Sequence, residues 1–208
     1  MNRPRTRRAT GWTAAFASLA LALAAMAGPS PPVSRADDMA LGSPRAPVTV
    51  VEYASLGCPH CATWSNTVFP AFKKTYVDTG RVRFVLRELP FGDPAVATAG
   101  FMLARCAGAN GYFPMVEAIF ADYAAVEAKP HDEMLRVSKG QGFTPARFEA
   151  CIKDPKGLSA LQARADRHQR GDHVTGTPTF VIGATRLEGD QSLATLAAAI
   201  TAAQRRRP

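Results

Sequence analysis

Two cysteines spaced by two residues, Cys58-Pro59-His60-Cys61, are the groups in this 208-residue chain best suited to chemistry. A thiolate is a nucleophile, and a second thiol one helical turn away can resolve any disulfide the first one forms. The β-branched run Val48, Val50 and Val51 reads as a strand leading into the motif. Pro59 suits the first position of a helix, where its missing N–H costs nothing. Cys58 would then sit at a helix N-terminus, where partial positive charge favours the thiolate. His60, between the cysteines, could donate to that thiolate or favour it electrostatically; the alternative is a solvent-facing turn residue. A disulfide closing so small a loop adds little chain-entropy stabilisation, which favours redox use over a structural bond. Zinc normally takes four ligands in paired clusters, and Cys106 and Cys151 stand alone, so no metal is expected.

Two further features flank the motif. Glu52 is a carboxylate in a run that otherwise reads as a buried strand, costly there without a role or a partner. Six residues before Cys58, it could lie beneath the thiols and relay a proton for Cys61. A strand shifted by one residue would instead turn it to solvent or a lysine, and spacing alone leaves the two readings even. Thr177-Pro178 precedes a second apolar run. Proline cannot donate to a central ladder, so it begins a strand or occupies a cis turn, and the dipeptide alone favours an ordinary trans turn.

The elements that must position these residues follow in order. Met39 to Pro47 is a polar lead-in. Pro47 to Ser55 is a strand, Pro59 to about Val77 a helix, and Arg81 to Leu89 a second strand, implying a right-handed parallel βαβ unit. Residues 93–173 read as helical, with segments opening near Pro94, Tyr112, His131, Pro145 and Pro155. Strands around Gly183-Ala184 then form a hairpin, and Gln191 to Ala203 a terminal amphipathic helix. The simplest architecture is a split α/β unit, residues 39–92 and 174–204, with an all-helical insertion. His131, His168 and His173 have no chemically suggestive neighbours and are expected at the surface.

The beginning of the chain reads as a leader. Arg3, Arg5, Arg7 and Arg8 precede an apolar run from Trp12 to Ala27, short for a membrane span. Ser34-Arg35-Ala36 is a small-x-small cleavage pattern, so residues 1–36 are taken as signal peptide and Pro-rich leader, with Ala27/Gly28 as the rival site. Arg7-Arg8 raises twin-arginine export, but no hydrophobic pair follows closely, which favours ordinary secretion over that route; a retained N-terminal anchor is the less favoured alternative. The formal charge of +8 loses five leader arginines, leaving +3, matched by Arg205, Arg206 and Arg207 in the basic tail 205–208. The body is balanced, so no nucleic-acid partner is expected. All four cysteines follow the leader, and an even count in an exported chain suggests disulfides. Four cysteines allow three pairings; Cys58 with Cys61 leaves Cys106 with Cys151, the favoured scheme.

Together these residues resemble the DsbA-type thiol:disulfide oxidoreductases of the bacterial cell envelope, within the thioredoxin superfamily. The resemblance rests on Pro47-Val-Thr-Val-Val-Glu-Tyr-Ala-Ser55, Cys58-Pro-His-Cys61 and Gly176-Thr-Pro-Thr-Phe180, in that order. It implies a thioredoxin fold with an inserted all-helical domain between its βαβ and ββα halves. It implies that Cys58 is the nucleophile, Cys61 the resolving thiol and Glu52 a buried carboxyl beneath them. Pro178 becomes a cis-proline facing the disulfide, and Thr177 and Pro178 bind substrate as an added strand. Leu56-Gly57 replaces an aromatic pair of the enteric-type enzyme, and Thr177 replaces its valine; threonine there also occurs in disulfide isomerases. The Cys106–Cys151 pair resembles an extra disulfide of one branch.

The resemblance further implies a monomeric periplasmic dithiol oxidase without a bound cofactor. Its substrates would be reduced, unfolded secreted proteins, and a quinone-coupled, DsbB-like membrane thiol oxidase would re-oxidise it. The rivals are an isomerase or reductase kept reduced, and a non-enzymatic copper-binding or chaperone-like module.

Overall fold

The computed structural model describes Met1 and residues 34–206. The expected signal peptide lies mostly in residues 2–33, outside the described residues, as do Arg207 and Pro208 of the tail. Among the described residues, five strands form one sheet: β1 (Met39–Leu41), β2 (Val48–Ala54), β3 (Val82–Glu88), β4 (Thr179–Ile182) and β5 (Thr185–Glu188), ordered β1-β3-β2-β4-β5. β2 and β3 run parallel, as a βαβ crossover requires, and pair Glu52 with Leu86. β4 returns antiparallel to β2 and sets Glu52 opposite Phe180. β1 was expected as irregular lead-in. It is a strand because its backbone completes the open edge of β3, antiparallel, with Ala40 opposite Val85.

Alternation along the strands divides the sheet into two apolar faces. Val50, Ala54, Phe84, Leu86, Phe180 and Ile182 pack into the main core. Val51, Tyr53, Val85 and Val181 pack on the opposite face with Ala165 and Val174. Glu52 falls between Val50 and Ala54, on the main-core face.

The helix after the motif is α1 (Pro59–Thr67), followed by α2 (Phe69–Phe72) and a π-helical turn (Lys73–Val77). The expected single helix breaks because Pro70 has no N–H to give the preceding turn. Trp64 of α1 anchors it to the sheet, its ring 4.7 Å from that of Phe180 and its Nε1 donating to Gln191 O at 3.1 Å. The insertion contains α3 (Pro94–Cys106), α4 (Gly108–Ala121), α5 (Tyr123–Ala128), α6 (Pro130–Gly140), α7 (Pro145–Ile152) and α8 (Pro155–Asp166), then a π-helical turn (Arg167–Gly171). Gly108 opens α4 at φ +76, so the helix expected to open near Tyr112 begins four residues earlier. α9 (Leu193–Arg205) covers the main-core face and ends one residue inside the expected tail.

Two polar networks sit where sequence reading expects none. His168 is buried against expectation: its Nδ1 lies 3.0 Å from Glu88 O, its ring meets Tyr53 edge-on, and burial lowers its pKa. Arg87 binds Asp38 at 3.0 Å and Asp172 at 3.4 Å, while Arg35 holds both Asp172 oxygens at 2.9 and 2.7 Å. Arg35, read as the middle of a cleavage pattern, is therefore fastened to the folded body. Its guanidinium fork matches a carboxylate that only the tertiary structure supplies.

Candidate active site

The active-site turn is held by two backbone hydrogen bonds and one tyrosine hydroxyl. Leu89 N donates to Ala54 O at 2.9 Å, and Asp93 N donates to Gly57 O at 3.0 Å. Gly57 and Gly92 permit this crossing, because a Cβ on Gly92, at φ +74, would lie 2.0 Å from Gly57 O. Tyr123 reaches from α5 to donate to Gly57 O at 3.2 Å. Gly57, noted in the sequence only as a departure from an aromatic pair, is thus held by both the β3–α3 loop and the helical insertion.

Cys58 is the N-cap residue of α1, with φ −110 and ψ 120, and Pro59 follows at the first helical position. Cys58 is 7% exposed and Cys61 wholly buried, and both are free thiols. The Cys61 thiol, donating to the Cys58 sulfur, is the main influence lowering the Cys58 pKa to about 5. Burial opposes this, while the Thr177 side chain and the backbone N–H groups of Cys61 and His60 act in the same lowering direction. Cys58 Sγ also lies 3.4 Å from Thr177 O, which as a carbonyl can only accept, so that contact by itself favours the thiol. Cys61 behaves oppositely. Burial pushes its pKa well above the ordinary value, and the negative charges of Glu52 and Cys58 add to this. Ser55 N donates to Cys61 Sγ at 3.4 Å, and Ser55 Oγ donates to Phe91 O at 2.6 Å.

Glu52 is 2% exposed, and its Oε1 has no hydrogen-bond partner among the described residues. Burial, reinforced by the Cys58 charge, raises its pKa to about 8. At that burial bulk water does not hydrate the carboxyl. The alternative of a solvent-facing Glu52 is excluded by this register.

His60 brings its backbone N–H to the sulfur, but its ring turns outward. Nδ1 lies 3.2 Å from Asp190 Oδ2, the ring is largely exposed, and the Asp190 hydrogen bond raises its pKa. The Thr177–Pro178 peptide is cis, correcting the trans turn favoured by the dipeptide alone. Pro178 O accepts from Gly189 N at 2.8 Å, so the cis-proline loop is held by the turn carrying Asp190. Cys106 and Cys151 form a disulfide joining α3 to α7, with Cα atoms 6.0 Å apart. Sequence reasoning missed Ser55, Tyr123 and Asp190. Tyr123 and Asp190 lie 66 and 130 residues from their partners, and no local signal marks them. Among the described residues, no cluster of three or more His, Cys, Asp or Glu side chains could hold a metal, and no helix is long and apolar enough to cross a membrane.

Comparison with known proteins agrees with this geometry. The family model for thioredoxin matches residues 34–202. A provisionally named protein-disulfide oxidoreductase of Rickettsia conorii is 31% identical over 167 residues, covering 79% of this chain and 59% of that one. Its counterpart in Rickettsia typhi is 32% identical over 155 residues, covering 73% and 57%. The chain therefore spans about three fifths of the length of these relatives. The crystal structure of alpha-DsbA1 of Wolbachia pipientis superposes with a TM-score of 0.75 at 25% identity, covering 83% of this chain and 94% of that one. DsbA of Chlamydia trachomatis shares the fold at a TM-score of 0.70 and 20% identity, covering 84% and 93%. With its paired cysteines on a five-stranded sheet and its inserted helices, the chain belongs to the thioredoxin family and is of the DsbA type within it.

Proposed function

We propose that the protein is an exported dithiol oxidase that introduces disulfides into reduced, unfolded secreted proteins. The observation that carries this reading is the divergence of the two thiols, Cys58 with a pKa of about 5 and Cys61 well above its ordinary value. A stabilised Cys58 thiolate favours the dithiol form, which makes the disulfide form a strong oxidant and Cys58 a good leaving group.

In the proposed reaction a substrate thiolate attacks Cys58 Sγ of the Cys58–Cys61 disulfide. The S–S bond breaks and its electron pair goes to Cys61 Sγ. Glu52, protonated below about pH 8, relays a proton to that buried sulfur. The second substrate thiolate then attacks the substrate sulfur of the mixed disulfide, and Cys58 leaves as the thiolate. Two electrons pass from substrate to enzyme. Thr177 and Pro178 offer backbone beside Cys58, supporting their role in holding substrate as an added strand. No bound cofactor is required. Re-oxidation falls to a quinone-coupled, DsbB-like membrane thiol oxidase, and the protein works as a periplasmic monomer. Arg35 belongs to the mature chain on this reading, which moves leader cleavage upstream, to Ala27/Gly28.

The test is the resting redox state of Cys58 and Cys61 in the cell envelope, together with the reduction potential against glutathione buffers. An oxidised resting pair with an oxidising potential supports the oxidase. A resting dithiol assigns the protein to the isomerases or reductases.

A further inference from the structure

Within the helical insertion, a cavity of about 470 Å³ opens between α3, α7 and α8. That volume is within the range of small-molecule sites. Its walls are largely apolar, from Met102, Leu161 and Ala160, with one edge of the Cys106–Cys151 disulfide. Arg105, Arg147 and Arg164 also line it.

Two of these arginines are held in a particular way. Glu88, wholly buried at the end of β3, takes Arg105 Nε on Oε1 and Arg164 Nε on Oε2, each at 2.5 Å. Tyr112 donates to Oε1 as well, at 3.1 Å. Each guanidinium thus hydrogen-bonds only through its Nε, and that of Arg105 also lies over the Tyr112 ring, 5.3 Å from its centroid. Among the described residues neither Nη of Arg105 nor of Arg164 has a hydrogen-bond partner, although the two side chains are only 24% and 11% exposed. The Nη atoms face solvent rather than a protein acceptor, so they are free to take one, and a planar fork is shaped for carboxylate or phosphate oxygens.

The charges agree. One carboxyl, Glu88, faces two guanidiniums. Arg147 adds a third, donating through Nη2 to Cys106 O at 2.8 Å. Asp154, the one acidic residue among those lining the cavity, caps α8 by accepting from Lys156 N and Gly157 N. Asp37, whose charge also interacts with Arg164, is paired with Arg167. The cavity therefore has a cationic rim with unspent donors and an apolar floor.

We propose that this cavity binds an amphiphilic organic anion, with a carboxylate or phosphate head on the forks of Arg105 and Arg164 and an apolar body along Met102, Ala160 and Leu161. The site is separate from Cys58 and stands whether or not the oxidase reading does.

Calorimetric titration of the folded chain with octanoate, octyl phosphate, inorganic phosphate and octyltrimethylammonium tests it. Octanoate and octyl phosphate should bind one to one, more tightly than inorganic phosphate, and the ammonium compound should not bind. Arg105→Gln should weaken octanoate about tenfold or more. Ala160→Phe, an exposed position whose ring fills the cavity and leaves every arginine in place, should do the same and carries the test if Arg105→Gln fails to fold. Absence of saturable binding, undiminished binding in Ala160→Phe, inorganic phosphate binding as tightly as octyl phosphate, or equal binding of the ammonium compound overturns the proposal.

Discussion

Asp190 Oδ2 lies 3.2 Å from Nδ1 of His60, across 130 residues of chain. The contact draws the His60 ring toward the turn that also holds Pro178 O. The motif histidine reaches Cys58 directly through its backbone N–H, and we propose that its ring, whose protonation Asp190 supports, adds to this at longer range. His60→Ala keeps the backbone N–H and removes the ring. It should raise the Cys58 pKa and make the disulfide less oxidising, with a shift within about tenfold in the equilibrium with glutathione. Asp190→Asn should lower the His60 imidazole pKa, which an NMR titration reads. A wild-type Cys58 titration in His60→Ala would leave the ring with no part in thiolate stabilisation.

Cys61→Ser should trap substrates on Cys58. Cys61 is the only thiol positioned to reverse the mixed disulfide, since Cys106 and Cys151 are bonded to each other. Non-reducing gels of envelope extract should show adducts that collapse with reductant. A variant that stays entirely as free thiol would contradict Cys58 as the nucleophile.

Glu52 links stability to pH. Its pKa is about 8 in the folded chain against an ordinary 4.5, so the folded state keeps a proton that the unfolded state has lost. The resulting penalty is absent below about pH 4.5, grows as pH rises, and levels off above about 8. At pH 7 it amounts to about 3 kcal/mol. Glu52→Gln removes the ionisation, so its stability relative to wild type should increase with pH over that window in denaturant titrations. The same variant should slow substrate oxidation below pH 8, on the order of tenfold or more, because the proton for Cys61 is gone. Parallel stability curves across pH 4 to 9 would refute the buried assignment.

The thiolate gives a second pH dependence with the opposite sign. Cys58 titrates near 5 when folded and reduced, against an ordinary 9.0. This contribution is complete above about pH 9 and is lost as pH falls through about 5. Reduced protein should be more stable than oxidised protein at pH 7, by about 2 kcal/mol after allowing for solvent screening. The gap should close toward pH 5 in thermal melts of the two forms. An oxidised form that melts higher at pH 7 would remove the basis for a strong oxidant.

Cys106→Ser with Cys151→Ser should cost up to about 4 kcal/mol in the chain-entropy account, from a sequence separation of 45. The loss should appear in the denaturant midpoint. The folded variant should still oxidise dithiols, because the bond lies in the insertion, away from Cys58.

Local chemistry alone determined much of this protein. Val48 to Ala54 runs as a strand because β-branched residues suit a pleated surface, and Pro59 starts a helix because its ring fixes φ and lacks only a dispensable N–H. Cys58 at that helix start and the separate pairing of Cys106 with Cys151 were both legible from residue type and spacing. Only the tertiary structure decided the rest. Glu52 could not be assigned to core or solvent until β3 and β4 paired on both sides of β2 and fixed which face it shares. Met39–Leu41 becomes a strand only because β3 presents an open edge. Asp190, Tyr123, His168 and the Glu88 cluster acquire meaning from partners tens of residues away. Their energies come from burial and from hydrogen bonds made across the fold, and neither is encoded in any stretch of sequence short enough to carry a periodic signal.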